Sequence, residues 1–297
     1  MTPWTTRSGE LSPLKLITFV ALWLPAGWLA VQASAGWLGS KPLTEAIHQS
    51  GDWAVRLLLI SLAVTPLRFV GAWPDLILVR RMLGLAALAY TALHVTLYVA
   101  LEAFDLGKVA SEIVLRIYLT IGFLALVGLA ILGSTSTDGM IRRLGSVRWN
   151  RLHSIVYGIA VLALVHFALQ RKIDITEVAL MTGFFLWLMG FRLLKRNGLH
   201  KSITALLVLG ILTGVLTAFA EFTWYALMTG VPAGRVLAAN LDFTYTIRPA
   251  WWVLAAGLGM AGLAFFRSGA RPQRTHGARN EGVAEPAART PSITIGG

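Results

Sequence analysis

Long apolar runs recur along almost the whole of the 297-residue chain, and they constrain its fold more than any other feature. Most of them approach the ~20 residues with which a helix crosses a bilayer. The runs are continuously apolar and do not alternate as the strands of an outer-membrane barrel do. We therefore predict an all-α fold, a polytopic bundle of about eight transmembrane helices. The predicted spans are Leu16–Ala35, Trp53–Val70, Met82–Phe104, Ile117–Leu132, Leu152–Leu169, Val178–Leu194, Ile203–Met228 and Ala250–Phe266.

Composition agrees with a protein that lies in the lipid bilayer. Charged residues make up 13 % of the chain and hydrophobic residues 56 %, whereas a soluble domain carries about 25 % charged residues. These values exclude a disordered chain and a water-soluble enzyme. Cysteine is absent, which excludes disulfides, thiolate catalysis, iron–sulfur ligation and thiolate-ligated haem. Any metal or cofactor ligand must come from six histidines, 14 carboxylates or methionine sulfur.

The net charge of +12 could indicate nucleic-acid binding, so the positions of the basic residues decide its meaning. If the N-terminus is cytoplasmic, 18 Lys and Arg residues fall in the inner segments and 7 in the outer ones. Basic residues favour the cytoplasmic side of a membrane protein. The sequence therefore predicts a multi-pass membrane protein with both termini cytoplasmic, and predicts no nucleic-acid partner.

One segment of the eighth span matches a nucleotide-binding motif by letter. Gly257–Gly262 (GLGMAG) has the glycine spacing of the dinucleotide fingerprint. That motif requires a preceding strand and a βαβ unit, which a transmembrane span does not provide. Small residues that allow close helix packing explain the segment better.

Three histidines fall within the predicted spans, where ionisable residues are candidates for function. His94 and His166 lie about 13 and 15 residues from the cytoplasmic ends of their spans, which places both at a similar depth in the outer half. Two neutral imidazoles on facing helices suit a b-type haem, which needs no cysteine attachment. A divalent metal site is less expected because no carboxylate accompanies the pair. Of the histidines outside the predicted spans, His48 is expected in an outer loop.

His153, at the cytoplasmic edge, is separate from this pair. It lies roughly 20 Å from His166 along an uninterrupted helix, too far for one iron. On an ideal helix the two side chains would also be about 140° apart. Either the helix is locally distorted, or the two histidines face different parts of the bundle.

An ordered set of motifs resembles the ferric-reductase-like transmembrane haem domain, and more specifically the MsrQ (YedZ) family. The resemblance covers roughly residues 40–196, and His166 is the last residue of its motifs. The matching stretches are Ile47–Gly51 (IHQSG), Thr65–Leu67 (TPL), Arg80–Leu85 (RRMLGL), Leu93–Tyr98 (LHVTLY), Ser134–Thr137 (STST) and Arg143–Tyr157 (RLGSVRWNRLHSIVY).

This resemblance implies an electron-transfer subunit of an oxidoreductase, with no catalytic residues of its own. Such a subunit takes electrons from membrane quinol and passes them through haem b, and in this family FMN, to a periplasmic molybdopterin-dependent methionine sulfoxide reductase (MsrP-like). That partner repairs oxidised proteins. The resemblance implies His94, His166 and His153 as haem-iron ligands.

The inner site departs from the wider superfamily, whose members use two histidines on each of two helices to hold two haems. Here Arg80 and Arg81 stand where the histidine partner of His153 would be. A guanidinium cannot serve as an ordinary axial ligand, but it can neutralise a haem propionate or a flavin phosphate. We therefore predict an inner cofactor site with His153 as its only imidazole, lined by Trp149 and Arg148. It would hold an asymmetrically ligated haem or a flavin near the quinol. In the alternative interpretation there is no inner cofactor site. His153 then only forms a hydrogen bond at the start of its helix, and the arginines anchor the chain at the lipid headgroups.

The chain is thus expected to have four parts. These are an N-terminal segment with the first helix (1–40), the ferric-reductase-like haem-binding bundle (41–196), two additional helices (197–267) and a disordered basic cytoplasmic tail (268–297).

Two other functions remain open. One is a transporter or channel whose polar pathway uses Arg56, His94, His166 and Glu221. The other is a self-contained ferric or oxygen reductase, which is disfavoured because no NAD(P)H or flavin domain follows the bundle.

Overall fold

The computed structural model describes residues 4–5, 9–244 and 246–269. Within them, eight helices or helix pairs are long and apolar enough to cross a membrane, which confirms the predicted all-α polytopic bundle. The helices are α1 (Pro13–Ser34), α2 (Pro42–Val70), α3 (Ile77–Leu101), α4 (Leu106–Leu115), α5 (Ile117–Ser134), α6 (Asp138–His153), α7 (Val156–Arg171), α8 (Thr176–Arg196), α9 (Ile203–Met228), α10 (Ala233–Ala239) and α11 (Pro249–Gly269).

Helix α2 is longer than predicted, and this corrects the position of His48. The helix begins at Pro42 rather than at Trp53, so His48 lies on a helix and not in an outer loop. Proline suits a first helical turn because its missing N–H has no helical partner there. The added turns are rich in polar residues, which is why hydropathy missed them, yet Ile47 and Ser50 are buried.

Two prolines inside helices are compensated by side chains from neighbouring helices. Pro66 has no N–H for the carbonyl of Leu62, and Arg192 Nη2 donates to that oxygen at 3.0 Å. Next to Pro25 of α1, the Tyr90 hydroxyl accepts from the Ala26 N–H at 2.9 Å and donates to the Leu22 carbonyl at 2.8 Å. These bonds fix α2 to α8 and α1 to α3.

The helix that carries His153 and His166 is interrupted between them. Helix α6 ends at His153 and α7 begins at Val156. A further break lies within α6, where Gly145 has a φ of 74°, a conformation that glycine adopts at no steric cost. The helix is therefore locally distorted between the two histidines.

The last two long helices pack closely on α8 and on each other. A Cβ added to Gly257 of α11 would lie 2.6 Å from the Gly210 Cα of α9 and 3.1 Å from Trp187 Nε1 of α8. The close-packing interpretation of GLGMAG is thus confirmed for Gly257, whereas Gly259 and Gly262 have no neighbour near the Cβ position. Helix α11 continues to Gly269. The predicted tail beyond it lies outside the described residues.

Candidate functional site

A largely apolar cavity lies among α2, α3, α4, α5 and α7, and both His94 and His166 line it. Leu58, Leu129 and Phe167 are among its buried apolar residues. A concave apolar site with a few convergent polar groups is the usual form of a cofactor pocket. Its charged or ionisable lining residues are His48, Asp52, His94, Tyr98, His166 and Arg171.

His94 of α3 and His166 of α7 face each other across this cavity. Their ring centroids are 6.2 Å apart and the ring planes are nearly perpendicular, at 88°. An imidazole nitrogen binds a metal at about 2.0–2.1 Å and lies about 1.1 Å from its ring centre, so two axial imidazoles on one ion have centroids about 6.3 Å apart. The centroid separation therefore fits two imidazoles that would hold one haem iron between them.

Hydrogen bonds fix the tautomer of both imidazoles. His94 Nδ1 lies 2.8 Å from the Ile47 carbonyl oxygen, and His166 Nδ1 lies 2.7 Å from the Tyr118 carbonyl oxygen. A carbonyl oxygen can only accept, so each Nδ1 must carry the proton and donate it. In a neutral imidazole this leaves Nε2 with its lone pair, the state that a metal-binding histidine requires. The donor set thus fits a b-type haem, and the assignment of these ligands stays a prediction.

Two ion pairs flank the cavity where α7 ends and α8 begins. Asp52 of α2 pairs with Arg171 of α7 at 2.5 Å, and both side chains are mostly buried. One turn further along α2, Arg56 Nε donates to Glu177 Oε1 of α8 at 2.7 Å. In the adjoining loop, hydrogen bonds from Thr176 hold the pKa of Asp174 below its ordinary value. The pairs join three of the helices around the histidines, and they leave Arg171 at the cavity wall.

The polar pathway of the alternative transporter interpretation is not assembled around this cavity. Neither Arg56 nor Glu221 lines the cavity that contains His94 and His166. Arg56 is engaged by Glu177, and Glu221 is paired with Arg248 at 2.6 Å.

The predicted inner residues are only partly brought together. Trp149 stacks on His153 with ring centroids 3.8 Å apart. The backbone and side chain of Thr135 hold both rings: its carbonyl accepts from Trp149 Nε1 at 2.9 Å, and its hydroxyl lies 3.2 Å from His153 Nε2. His153 does not line the cavity described above.

The inner arginines differ from one another. Arg81 is paired with Asp138 at 2.7 Å. Arg80 is half-buried and lies within electrostatic range of His153, Arg192 and Tyr157. Arg148 is exposed, so the structure does not join it to the stacked rings. That these three arginines bind a cofactor stays a prediction.

Sequence reasoning missed the groups that orient the histidines. The Ile47 and Tyr118 partners are backbone carbonyls, which leave no mark in residue type. Asp52 and Arg171 could have been found, because opposite charges at the predicted ends of two spans suggest a pair at one membrane surface.

Residues 50–164 match the family described as ferric reductase like transmembrane component. The chain is 40 % identical over 180 residues to the protein-methionine-sulfoxide reductase heme-binding subunit MsrQ of Rhodospirillum rubrum, covering 60 % of this chain and 86 % of the relative. It is 44 % identical over 176 residues to the subunit of the same name from Xanthomonas campestris pv. campestris, covering 59 % and 80 %.

A third relative, the MsrQ subunit of Herminiimonas arsenicoxydans, is 41 % identical over 159 residues, which are 53 % of this chain and 73 % of that protein. No solved structure matches the chain significantly.

Proposed function

Because the chain belongs to the MsrQ family of heme-binding subunits of protein-methionine-sulfoxide reductases, we propose that it is a membrane electron-transfer subunit that binds haem b between His94 and His166. The observation that carries this proposal is the 6.2 Å separation of two imidazoles whose Nδ1 atoms both donate to backbone carbonyls. A reduced-minus-oxidised absorption spectrum of the purified protein, with haem and flavin quantified per chain, tests it. A protein without reducible b-type bands would contradict it.

The residues of the chain have distinct tasks in this proposal. His94 and His166 would present Nε2 to the iron from two helices that the rest of the bundle fixes. The apolar walls would exclude water from the site, and the ion pair between Arg171 and Asp52 would lie at its wall. Haem b, when bound, supplies a one-electron carrier whose potential depends on these ligands and on burial.

The direction of electron flow is part of the proposal. The electrons would come from membrane quinol at the cytoplasmic side and leave for a periplasmic molybdopterin-dependent methionine sulfoxide reductase. The family name supports a reductase partner. The quinol, FMN and the identity of the catalytic subunit rest on the family resemblance set out above.

We further propose an inner cofactor site around His153, Trp149 and Arg80. An aromatic surface and a half-buried guanidinium without a carboxylate partner among the described residues suit an anionic cofactor such as FMN or a haem propionate. Arg81 is less available, because Asp138 already pairs with it.

Replacing His153 by alanine should leave the spectrum of the His94–His166 haem largely intact and slow its reduction by quinol analogues about tenfold or more. Stopped-flow absorbance at the haem bands measures both. Thr135→Val is the matched control, because it removes the hydroxyl partner of His153 and keeps the imidazole. If His153→Ala changes neither the reduction rate nor haem and flavin content, or if Thr135→Val reproduces its effect, His153 is a structural residue.

Topology provides a separate test. With both termini cytoplasmic in a bacterial inner membrane, reporter fusions after Arg196 and Arg279 should be active on the cytoplasmic side. A fusion near Gly230 should be active on the periplasmic side. The expected result follows from the 18 basic residues in inner segments against 7 in outer ones. An external reporter at Arg279 would overturn the eight-span arrangement.

A further inference from the structure

Two glycines occupy equivalent positions beside the two cavity histidines. A Cβ added to Gly51 would lie 2.9 Å from His94 Nδ1, and one added to Gly122 would lie 2.7 Å from His166 Nδ1. Carbon atoms in favourable contact are about 3.5–4.0 Å apart. An alanine at either position would therefore have to displace the imidazole or its helix.

Helix geometry explains why a side chain at either position would meet the imidazole. Gly51 is four residues after Ile47, and Gly122 is four residues after Tyr118, so in each helix the glycine N–H points at the carbonyl oxygen that also accepts from the histidine. The imidazole N–H can reach that oxygen only by passing beside the residue at the fourth position. Glycine is the residue that leaves this approach open.

The arrangement is present twice with nearly the same spacing. His94 follows Gly51 by 43 residues, and His166 follows Gly122 by 44. Each half of the cavity thus consists of a helix with a carbonyl and a glycine, and a second helix with the histidine. Two independent occurrences of the same contact separate it from incidental packing.

We propose that Gly51 and Gly122 are positioning residues that let each histidine donate Nδ1–H to a helix carbonyl, and so set the orientation and donor strength of the two haem ligands. The inference rests on the proposed haem ligation and adds the groups that control it. A hydrogen bond from the distal nitrogen of a ligating histidine fixes its ring and raises its basicity. A ligand that loses this bond donates less to ferric iron, so the midpoint potential should rise.

Gly51→Ala and Gly122→Ala, each in the full-length protein, test the proposal. We expect haem affinity to fall about 10–100-fold, the range for loss of a partner that orients a metal ligand. We also expect a raised midpoint potential by redox titration and changed low-spin g values by electron paramagnetic resonance. In the haem-free protein, ¹⁵N resonances of labelled histidine should show that the affected imidazole no longer holds its proton only on Nδ1.

Gly128 provides the matched control for simple crowding. A Cβ there would lie 2.8 Å from Ile159, again between α5 and α7, but it would not touch a histidine. Gly128→Ala should therefore lower thermal stability without changing the potential, the g values or the tautomer. Gly84→Ala, at a position with open space, should change none of these.

The outcomes separate this inference from the proposed function. If the wild-type protein binds no haem, the proposed function fails, and the ¹⁵N measurement still decides whether the glycines set the tautomer. If the wild-type protein binds haem but both glycine variants match Gly128→Ala in potential, g values and tautomer, the positioning role is wrong and the proposed haem function stands.

Discussion

Replacing either His94 or His166 by alanine should abolish most of the b-type haem absorbance and stop electron delivery to the partner. Each imidazole is one of two axial ligands in the proposed site, and its partner lies only 6.2 Å away, ring centre to ring centre. Removal of one would leave a single histidine to hold the haem in an apolar cavity. Haem content per chain and the reduced-minus-oxidised spectrum measure the effect.

His48 has to be included in this experiment, because the structure places it on the wall of the same cavity. A single substitution of His48 should leave the spectrum largely unchanged, since the proposal assigns it no bond to iron. His200 is a second control: it lies outside the cavity and packs edge-on against Phe69, with ring centroids 5.7 Å apart. Normal haem content and potential in both His94→Ala and His166→Ala would rule out the pairing.

The sequence predicts the bundle and the histidine pair because both depend on properties that residue type records. Apolar runs long enough to cross a bilayer define the helices, and the distance of His94 and His166 from the basic inner segments defines their depth. Neither property depends on which helices are neighbours in the folded bundle. The predicted ligands therefore follow from counting along the chain.

The sequence could not predict features that arise only when helices meet. The polar first turns of α2 have no hydropathy signal, and they become helical because Ile47 and Ser50 are buried there. The partner of each cavity histidine is a carbonyl, which every residue type carries. Arg192 binds the carbonyl that Pro66 leaves free, a role visible only once α2 and α8 are side by side.

The ion pair between Glu221 and Arg248 is the site at which one substitution should most destabilise the fold. Glu221 of α9 is fully buried, and its Oε1 lies 2.6 Å from Nη2 of Arg248, whose side chain is 19 % exposed. Arg248→Ala would leave a buried carboxylate without its counter-charge. Loss of one partner of a buried pair typically costs about 3–5 kcal/mol, and thermal unfolding in detergent should show a correspondingly lower midpoint.

The double variant Glu221→Leu/Arg248→Leu distinguishes loss of the pair from exposure of a lone charge. Apolar residues of similar volume often replace a buried ion pair at little cost, because the desolvation of both charges is avoided. The double variant should therefore be clearly more stable than Arg248→Ala. Substitution of Lys108, an exposed side chain that pairs with the partly buried Glu102, should have less effect, since water screens an exposed charge. If Arg248→Ala unfolds at the wild-type temperature, Glu221 does not depend on Arg248 for its burial.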